Sequence, residues 1–319
     1  MQPPDIIVVG SHAPGLFIRV KRVPIAGETV IGWDYEEPVD GGKGSNQAIA
    51  AARLGARVSF VGCIGNDRIG REVEGWLKEE GIGISHLRRS EKMPTGVGFI
   101  MLNDEGIPAM VTSMGANSEL NEHDVDQALR DLKGAKLLLT QFEINPAVAI
   151  YAARQAHQQG LIAIVNPAPA PGQGMHDLQD LDILCPNESE AKVMLGLSPD
   201  VDEEPCALAH RLKALSGVKS VMMTLGERGV AIADENGDCL IAAPQARVVD
   251  TSGAGDAFCA AVAVALVHGY SQRAAAEWGC QVAALSVTRP GTIPAYPSQK
   301  EVEEFLKKNK IGSPDREKN

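Results

Sequence analysis

The chain alternates between short apolar runs and longer amphipathic segments. Residues 5–11 (DIIVVGS) form a β-branched run that ends in Gly and Ser, which is typical of a buried strand. Residues 46–55 (NQAIAAARLG) have the spacing of a helix that ends at glycine, and residues 57–65 (RVSFVGCIG) predict the next strand. The alternation continues to residues 218–234 (VKSVMMTLGERGVAIAD), which predict a strand and a hairpin. This order predicts an α/β fold, with a doubly wound, mostly parallel sheet and helices on both faces.

Two stretches interrupt this alternation. Residues 27–42 (GETVIGWDYEEPVDGG) and 95–117 (TGVGFIMLNDEGIPAMVTSMGAN) have strand-like alternation around turns such as NDEG. We therefore predict a small antiparallel sheet, inserted into the α/β body from about residues 13–42 and 95–115. Such a sheet would be a β lid over a site or an edge for dimerisation. The alternative is a pair of ordinary surface hairpins.

Composition and charge restrict the classes of function. The chain has 319 residues, of which 44% are hydrophobic and 22% are charged, and we predict one domain over residues 1–312 with a disordered tail at 313–319. Its net charge of −11 argues against nucleic acid or an anionic membrane surface as a partner. The longest apolar stretch, residues 257–267, is too short to span a membrane, and no secretory signal precedes the first strand. Six scattered cysteines without metal-ligand spacing fit a reducing compartment, so we expect a cytoplasmic protein.

The segment DTSGAGDAF (250–258) has the pattern of an anion site with an acid in it. Gly253, Ala254 and Gly255 leave backbone N–H groups unshielded, and such groups stabilise the charge on a migrating phosphoryl group. Asp256 would repel a bound phosphate, but it makes sense as a base for the hydroxyl that attacks the phosphorus. The alternative is a first-turn acid that complements the helix dipole.

Three further segments fit a phosphate site. The Gly-rich loop at 40–51 (DGGKGSNQAIAA) feeds a helix, but it has neither the Walker A nor the dinucleotide spacing. Asn187 and Glu190 lie one helical turn apart, where they would hold hydrated Mg²⁺ beside a polyphosphate or act as a helix cap. Residues 224–229 (TLGERG) form another glycine turn with backbone donors.

Together these motifs resemble the ribokinase family of carbohydrate kinases, over about Ile6 to Pro297. The resemblance is based on GGKGSNQA, NPAPA, PNESEA, TLGERG and DTSGAGDAF, in that order. It implies ATP-dependent phosphorylation of a primary hydroxyl of a small sugar such as a pentose, ribose and deoxyribose among them. It also implies ATP and Mg²⁺ as cofactors, K⁺ as an activator, and a homodimer that forms through the β lid.

The resemblance assigns residues to each part of the reaction. Asp256 resembles the base, with Gly253, Ala254 and Gly255 as the anion hole. The sugar would contact Gly42, Lys43, Asn46 and Glu143. The nucleotide would contact Asn187, Thr224, Gly226, Gly229, Gly255 and Cys280, although the family often has Asn or His where Cys280 stands. Mg²⁺ would be held by Glu190 and Asn187 through water. K⁺ would be held mostly by the carbonyl oxygens of Asp250, Ser252, Val287, Pro290 and Gly291, with Ala295 where a serine is often found.

At the sugar end the chain departs from the family pattern. Ribokinases follow a Gly-Ser strand end with an Asn-x-Asp element that grips two sugar hydroxyls. If Gly10 and Ser11 fix the register, Ala13 and Gly15 stand at those two places. Neither side chain makes a hydrogen bond, and a bond to a charged group contributes roughly 1.5–3 kcal/mol. The pocket is therefore not expected to hold ribose in the usual way.

Three explanations for this loss remain open. The substrate has fewer hydroxyls at that end, or it is bulkier and uses the vacated space, or other side chains replace the contacts. The candidates for replacement are His12, Trp33 and Tyr35, each of which has a purely structural alternative. Two other functions also stay open, a nucleoside kinase of the same family and a catalytically idle sugar or nucleotide sensor.

Overall fold

The computed structural model describes residues 2–37, 41–105, 108–172, 178–179, 181–309 and 311–312. The predicted tail at 313–319 lies outside the described residues, as does part of the predicted lid at 38–40. The strands, in chain order, are β1 (Ile6–Val9), β2 (Gly15–Val20), β3 (Gly32–Glu36), β4 (Val58–Gly65), β5 (Gly83–Ser90), β6 (Val97–Leu102), β7 (Pro108–Ser113), β8 (Leu137–Gln141), β9 (Ile162–Asn166), β10 (Ile183–Leu184), β11 (Ser220–Thr224), β12 (Val230–Asp234) and β13 (Gly237–Ile241). The helices are α1 (Lys43–Arg53), α2 (Arg68–Glu79), α3 (Glu122–Asp131), α4 (Pro146–Gln158), α5 (Glu188–Met194), α6 (Pro205–Ser216), α7 (Ala254–Val267), α8 (Gln272–Ser286) and α9 (Gln299–Asn309).

Among the described residues, nine strands form the main sheet, in the order β13-β12-β11-β10-β9-β8-β1-β4-β5. All neighbours from β11 to β5 pair in parallel, whereas β12 and β13 add an antiparallel hairpin at one edge. The strand order reverses between β1 and β8, so the chain builds the sheet outwards from its centre in both directions. This arrangement confirms the predicted doubly wound α/β fold. Ligands of such sheets bind outside the carboxyl ends of the strands at the point of reversal.

Helices cover both faces of this sheet, as predicted. Ile6 and Val8 of β1 point into a core formed with α1, α2, α7, α8 and α9, while Ile7 and Val9 point into a second core formed with α3 to α6. The two-residue period of the strand explains this division, because successive side chains point to opposite faces. Both cores are buried, so the parallel strands read as continuous apolar runs.

Helix α7 lies almost entirely inside the first core. Every residue from Asp256 to Ala265 is buried. A helix that is apolar all round is normally a core element, which makes a carboxylate in its first turn exceptional. Helix α1 packs against α7, and this contact supplies the partners of that carboxylate.

A second sheet has four of the described strands, in the order β3-β2-β6-β7. The prediction of a small additional sheet is confirmed, but the prediction that it is antiparallel was wrong in one respect. β2–β3 and β6–β7 are antiparallel hairpins, whereas β2 and β6 pair in parallel. The reason is that the two hairpins come from distant parts of the chain and meet side by side, and no local turn sets their relative direction.

None of the helices in the described part of the chain is long and apolar enough to cross a membrane.

Candidate active site

Asp256 is the buried acid at the centre of the site. It lies in the first turn of α7, and only 4% of its surface is exposed. Its Oδ2 accepts a hydrogen bond of 2.9 Å from Nδ2 of Asn46, and its Oδ1 accepts one of 2.9 Å from Nε2 of Gln47. Two consecutive residues of α1 therefore hold the two carboxylate oxygens. Two such donors fix the orientation of the carboxylate in the site.

A cavity of about 150 Å³ opens beside this acid. It lies at the carboxyl ends of the central strands, as expected for a doubly wound sheet. Seven residues predicted for the site line it: Lys43, Asn187, Glu190, Thr224, Gly253, Gly255 and Asp256. Asn166, Ala168, Cys185 and Cys259 complete the wall.

The glycines before Asp256 have distinct roles. Gly253 caps α7 with a φ of 72°, and a Cβ at this position would lie 2.4 Å from Oη of Tyr296. Gly255 differs, because a Cβ there would meet no atom within 4 Å. The amides of a helix's first turn have no partner within the helix. Together with the open space at Gly255, they provide room and donors for an anion.

Opposite charges face each other across the cavity. Burial alone would lower the pKa of Lys43, but the carboxylates of Asp256, Glu143 and Glu190 outweigh it and raise that pKa. Lys43 is therefore a cation at neutral pH. Burial raises the pKa of Glu190, and a hydrogen bond from the amide of Asn187 opposes that shift.

The predicted pair Asn187 and Glu190 forms a helix cap. The amide of Glu190 donates to Oδ1 of Asn187 at 2.7 Å, and the amide of Asn187 donates to Oε2 of Glu190 at 2.8 Å. This is the capping alternative that the sequence left open. It is compatible with a ligand role, because both side chains also line the cavity.

On the other side of Lys43, Glu143 joins three segments. Its Oε2 accepts hydrogen bonds from Oγ of Ser11 at 2.7 Å and from the amide of Lys43 at 2.8 Å. Ser11 follows β1 and Glu143 follows β8, so this contact lies at the point where the strand order reverses. Gly42 is the N-cap of α1 and has a φ of 86°. A Cβ at this position would lie 2.5 Å from the amide nitrogen of Ala13. The segment after β1, the start of α1 and the segment after β8 therefore meet at the half-buried side chain of Glu143.

The side chains considered as replacements for the lost sugar contacts point elsewhere or remain exposed. Nδ1 of His12 lies 3.0 Å from Oγ of Ser45, and burial lowers the pKa of His12 to about 3. The histidine ring is therefore neutral and enclosed. Trp33 and Tyr35 are 44% and 60% exposed on β3.

Three buried amides were not predicted. Gln47, Gln141 and Asn166 form a chain of hydrogen bonds that ends on Asp256. Gln47 and Asn166 lie in the motifs GGKGSNQA and NPAPA, and Gln141 lies at the polar end of a strand. Their partners in this chain of hydrogen bonds lie 94 to 209 residues away in the sequence. A buried amide in a helix, such as Gln47, or in a strand, such as Gln141 and Asn166, gives no local signal of a partner so distant in sequence.

The remaining predicted residues lie away from the cavity wall. Gly226 and Gly229 shape the turn between β11 and β12, and a Cβ at Gly229 would lie 1.9 Å from the carbonyl oxygen of Ile241. Cys280 is not among the residues that line the cavity. It is only 5% exposed, packs in the core, and its thiol pKa is raised to about 12 by burial.

The loop predicted for K⁺ is held together by its own hydrogen bonds. Oδ1 of Asp250 accepts from the amide of Ser252 and Oδ2 accepts from the amide of Gly291, each at 2.9 Å. The carbonyl of Val287 accepts from the amides of Val249 at 2.7 Å and Asp250 at 3.2 Å. Two of the predicted donors to a cation are therefore already engaged.

Comparisons with known proteins extend over almost the whole chain. The family described as pfkB family carbohydrate kinase matches residues 8–299. The chain is 35% identical over 301 residues to a ribokinase of Haemophilus influenzae, which covers 94% of this chain and 98% of that protein. It is 31% identical over 310 residues to a deoxyribokinase of Salmonella typhi, covering 96% and 99%. The structure of an Arabidopsis thaliana ribokinase complexed with ribose and ATP matches with a TM-score of 0.85 at 31% identity, covering 96% and 99%.

Proposed function

The chain belongs to the pfkB family of carbohydrate kinases, and we propose that it transfers the γ-phosphate of ATP to a primary hydroxyl of a small sugar, with Asp256 as the base. One observation carries this proposal. A buried carboxylate is held by two amide donors where the first turn of α7 meets an open glycine cradle. A carboxylate that only complemented the helix dipole would not need to be enclosed.

The proposed reaction is an in-line displacement. Asp256 accepts the proton of the sugar hydroxyl as its oxygen attacks the γ-phosphorus, and the bond to the departing ADP oxygen breaks. The amides around Gly253, Ala254 and Gly255 stabilise the charge on the equatorial oxygens. Lys43 lines the same cavity and adds a positive charge. Thr224, Gly226 and Gly229 cradle the nucleotide from the turn after β11.

The residues present fit a magnesium ion next to the phosphates. Glu190 brings a carboxylate to the cavity wall, and Asn187 brings an amide oxygen beside it. Oxygen ligands with intervening waters are what Mg²⁺ prefers. When bound, this ion supplies positive charge to the polyphosphate.

The hydrogen bonds of the loop around Asp250 leave potassium binding open. Both carboxylate oxygens of Asp250 and the carbonyl of Val287 accept backbone hydrogen bonds. The role of K⁺ therefore stays a prediction, and no step of the reaction is assigned to it.

The sugar that fits best has an apolar edge. A Cβ at Gly15 would lie 3.0 Å from both Cδ1 of Ile100 and Cε2 of Phe17, so the place of a longer side chain is already filled. This argues against a bulky substrate that uses vacated space, and so against a nucleoside. With His12 enclosed and no polar side chain at Ala13 or Gly15, a sugar with fewer hydroxyls is favoured. The relative from Salmonella typhi named deoxyribokinase shows that such acceptors occur among similar proteins.

The second sheet is proposed to act as the lid and to join two subunits. Phe99 and Val111 are neighbours across β6 and β7, and they are 46% and 61% exposed. Exposed apolar residues that adjoin on a sheet mark an interaction surface. A second copy of the chain is the proposed occupant. Replacement of Val111 by Asp is expected to give monomers in light scattering.

The test is a measurement of ADP release with a panel of sugars. The panel pairs each pentose with its deoxy form and includes hexoses and nucleosides. Sugar-dependent ADP release supports the kinase, and preference for deoxy sugars supports the apolar edge. Absence of ADP release with every sugar, despite sugar binding in a thermal-shift assay, would indicate a sensor. Ribose as the preferred acceptor would leave the kinase intact and reject the apolar edge.

A further inference from the structure

Gln47 is a fully buried amide next to the base, with 0% of its surface exposed. Its Nε2 donates to Oδ1 of Asp256 at 2.9 Å and to Oδ1 of Asn166 at 3.2 Å. Its Oε1 accepts from Nε2 of Gln141 at 2.5 Å. The buried amide is therefore satisfied at both ends, and one of its donors is directed at the carboxylate.

The orientation of Gln47 is set by its neighbours. Because Gln141 donates to Oε1, the NH₂ group of Gln47 must face Asp256 and Asn166. Asn166 in turn donates to the carbonyl of Cys185 at 2.7 Å, so its oxygen faces Gln47. Rotation of any of these amides by half a turn would bring two acceptors or two donors together. The network thus holds Gln47 as a donor to Asp256.

We propose that Gln47 is a positioning residue that fixes the orientation of the Asp256 carboxylate, and so the edge of it that faces the cavity. The assignment rests on the proposed role of Asp256 as the base. Gln47 acts only through Asp256, since it is not among the residues that line the cavity. Asn46 holds the other oxygen from the same helix, so the carboxylate cannot rotate without breaking one of two hydrogen bonds.

Other charged or titratable groups also face Asp256. Lys43 of α1 is positive and attracts the Asp256 carboxylate, whereas Glu190 of α5 is a second acid and repels it. Cys259 of α7 faces both acids, and its own pKa is raised by the hydrogen bond with Cys185 and by burial, so that this thiol stays neutral. Loss of Gln47 is expected to free one carboxylate oxygen to move, while Asn46 still holds the other.

Replacement of Gln47 by Met tests the proposal, because Met has a similar length but no donor. Loss of a hydrogen bond to a charged group changes a rate or equilibrium constant by about ten- to a hundredfold. We expect kcat to fall by about that factor at neutral pH, with KM for ATP changed by less than about twofold. The acidic limb of the plot of kcat against pH should move to higher pH, because a carboxylate that has lost a donor holds its proton more tightly.

Two further variants keep the proposal testable if Gln47→Met folds poorly. Gln47→Glu has the same shape and still accepts from Gln141, but it adds a negative charge beside Asp256. Its acidic limb should therefore move further than that of Gln47→Met. Gln141→Leu removes the residue that orients Gln47, and it should give a smaller shift of the same sign.

Gln281 provides a matched control. It is a buried glutamine in α8 whose Nε2 donates to the carbonyl of Gly312 at 3.0 Å. Gln281→Met should lower the melting temperature and leave the pH profile of kcat unchanged. If Gln47→Met behaves like Gln281→Met, with an unmoved acidic limb, Gln47 is only structural and the proposal is overturned.

The variant Asp256→Asn separates this inference from the proposed function. If Asp256→Asn retains turnover, the base is misassigned, whatever Gln47 does. If Asp256→Asn loses turnover and Gln47→Met then causes no further loss in that background, Gln47 acts through Asp256. A full additional loss in the double variant would reject action through Asp256.

Discussion

At the proposed phosphate end of the site the main chain supplies hydrogen-bond donors, from the turn at Gly253 to Asp256, whereas at the proposed sugar end the side chain of Glu143 accepts hydrogen bonds from two separate segments. The turn at α7 needs only two glycines and the start of a helix. The sugar end depends on Glu143, which contacts residues 100 and 132 positions away. The donors of a main-chain site are conserved as long as the backbone keeps its shape, whereas the contacts of a side-chain site change with each substitution. Substitutions at the two ends should therefore have different kinetic signatures.

Asp256→Asn should have the largest effect. Asn has nearly the same shape but cannot accept the proton of the hydroxyl, and general-base catalysis contributes about 10²–10⁴ in rate. We expect kcat to fall by that factor while the dissociation constant of a non-hydrolysable ATP analogue changes little. Turnover close to that of the wild type would exclude Asp256 as the base.

Gly255→Ala should have the next largest effect on kcat, and it should act only at the phosphate end of the site. The added methyl group enters the open space in front of the first-turn amides. Because that space is open, and alanine is the better helix former, stability should be equal or higher. Loss of one such anion contact costs about 10²–10³ in kcat, so we expect at least a tenfold decrease. An unchanged kcat at a normal melting temperature would contradict the anion cradle.

Glu143→Gln should affect the sugar end. The amide oxygen can still accept from Ser11 or Lys43, but the charge that would grip a sugar hydroxyl is lost. We expect KM for the sugar to rise about tenfold to a hundredfold, with kcat changed by less than about threefold. Initial rates over a range of sugar concentrations measure this. A fall in kcat with an unchanged KM would place Glu143 in the chemical step instead.

The buried His12 should make the folded chain less stable in acid. Its pKa is about 3 in the folded chain because of burial, against 6.5 ordinarily. The unfolded chain binds a proton below pH 6.5 that the folded chain excludes, so stability is full above pH 6.5 and falls towards pH 3. The slope is about 1.4 kcal/mol per pH unit. Urea unfolding of His12→Phe at pH 7 and pH 5 should show a flatter slope, while the same change at the exposed His123 should leave the slope as it was.

Potassium should have the smallest effect. The loop around Asp250 already satisfies its own hydrogen bonds. We expect rates in potassium to exceed those in a large organic cation, at equal ionic strength, by a small factor of about twofold. Identical rates in the two buffers would reject potassium as an activator.

The same difference between the two ends explains what the sequence could predict. The turn before Asp256 is a local pattern, because its glycines and its acid are adjacent in the chain, and the structure places it at the cavity as expected. The fold class was likewise predictable, since apolar runs and helices alternate with a regular period. The parallel pairing of β2 with β6 was not, because that pairing joins distant hairpins.

Buried polar residues marked the limit of prediction from sequence. Gln47 and Gln141 have no local motif that indicates their partners, and only packing brings them to Asp256. The predicted nucleotide contact of Cys280 stays a prediction. The structure places this residue in the core, 5% exposed, and outside the wall of the cavity beside Asp256.

Helix α1 carries the two side chains that donate to Asp256 and the backbone amide that donates to Glu143. Lys43, Asn46 and Gln47 all lie within the first turn and a half of α1, where a rigid rise of about 1.5 Å per residue fixes their spacing. The second sheet contributes none of these groups. Acceptor preference can therefore diverge through changes in that sheet while the chemical machinery is inherited intact, which would allow one scaffold to serve many sugars.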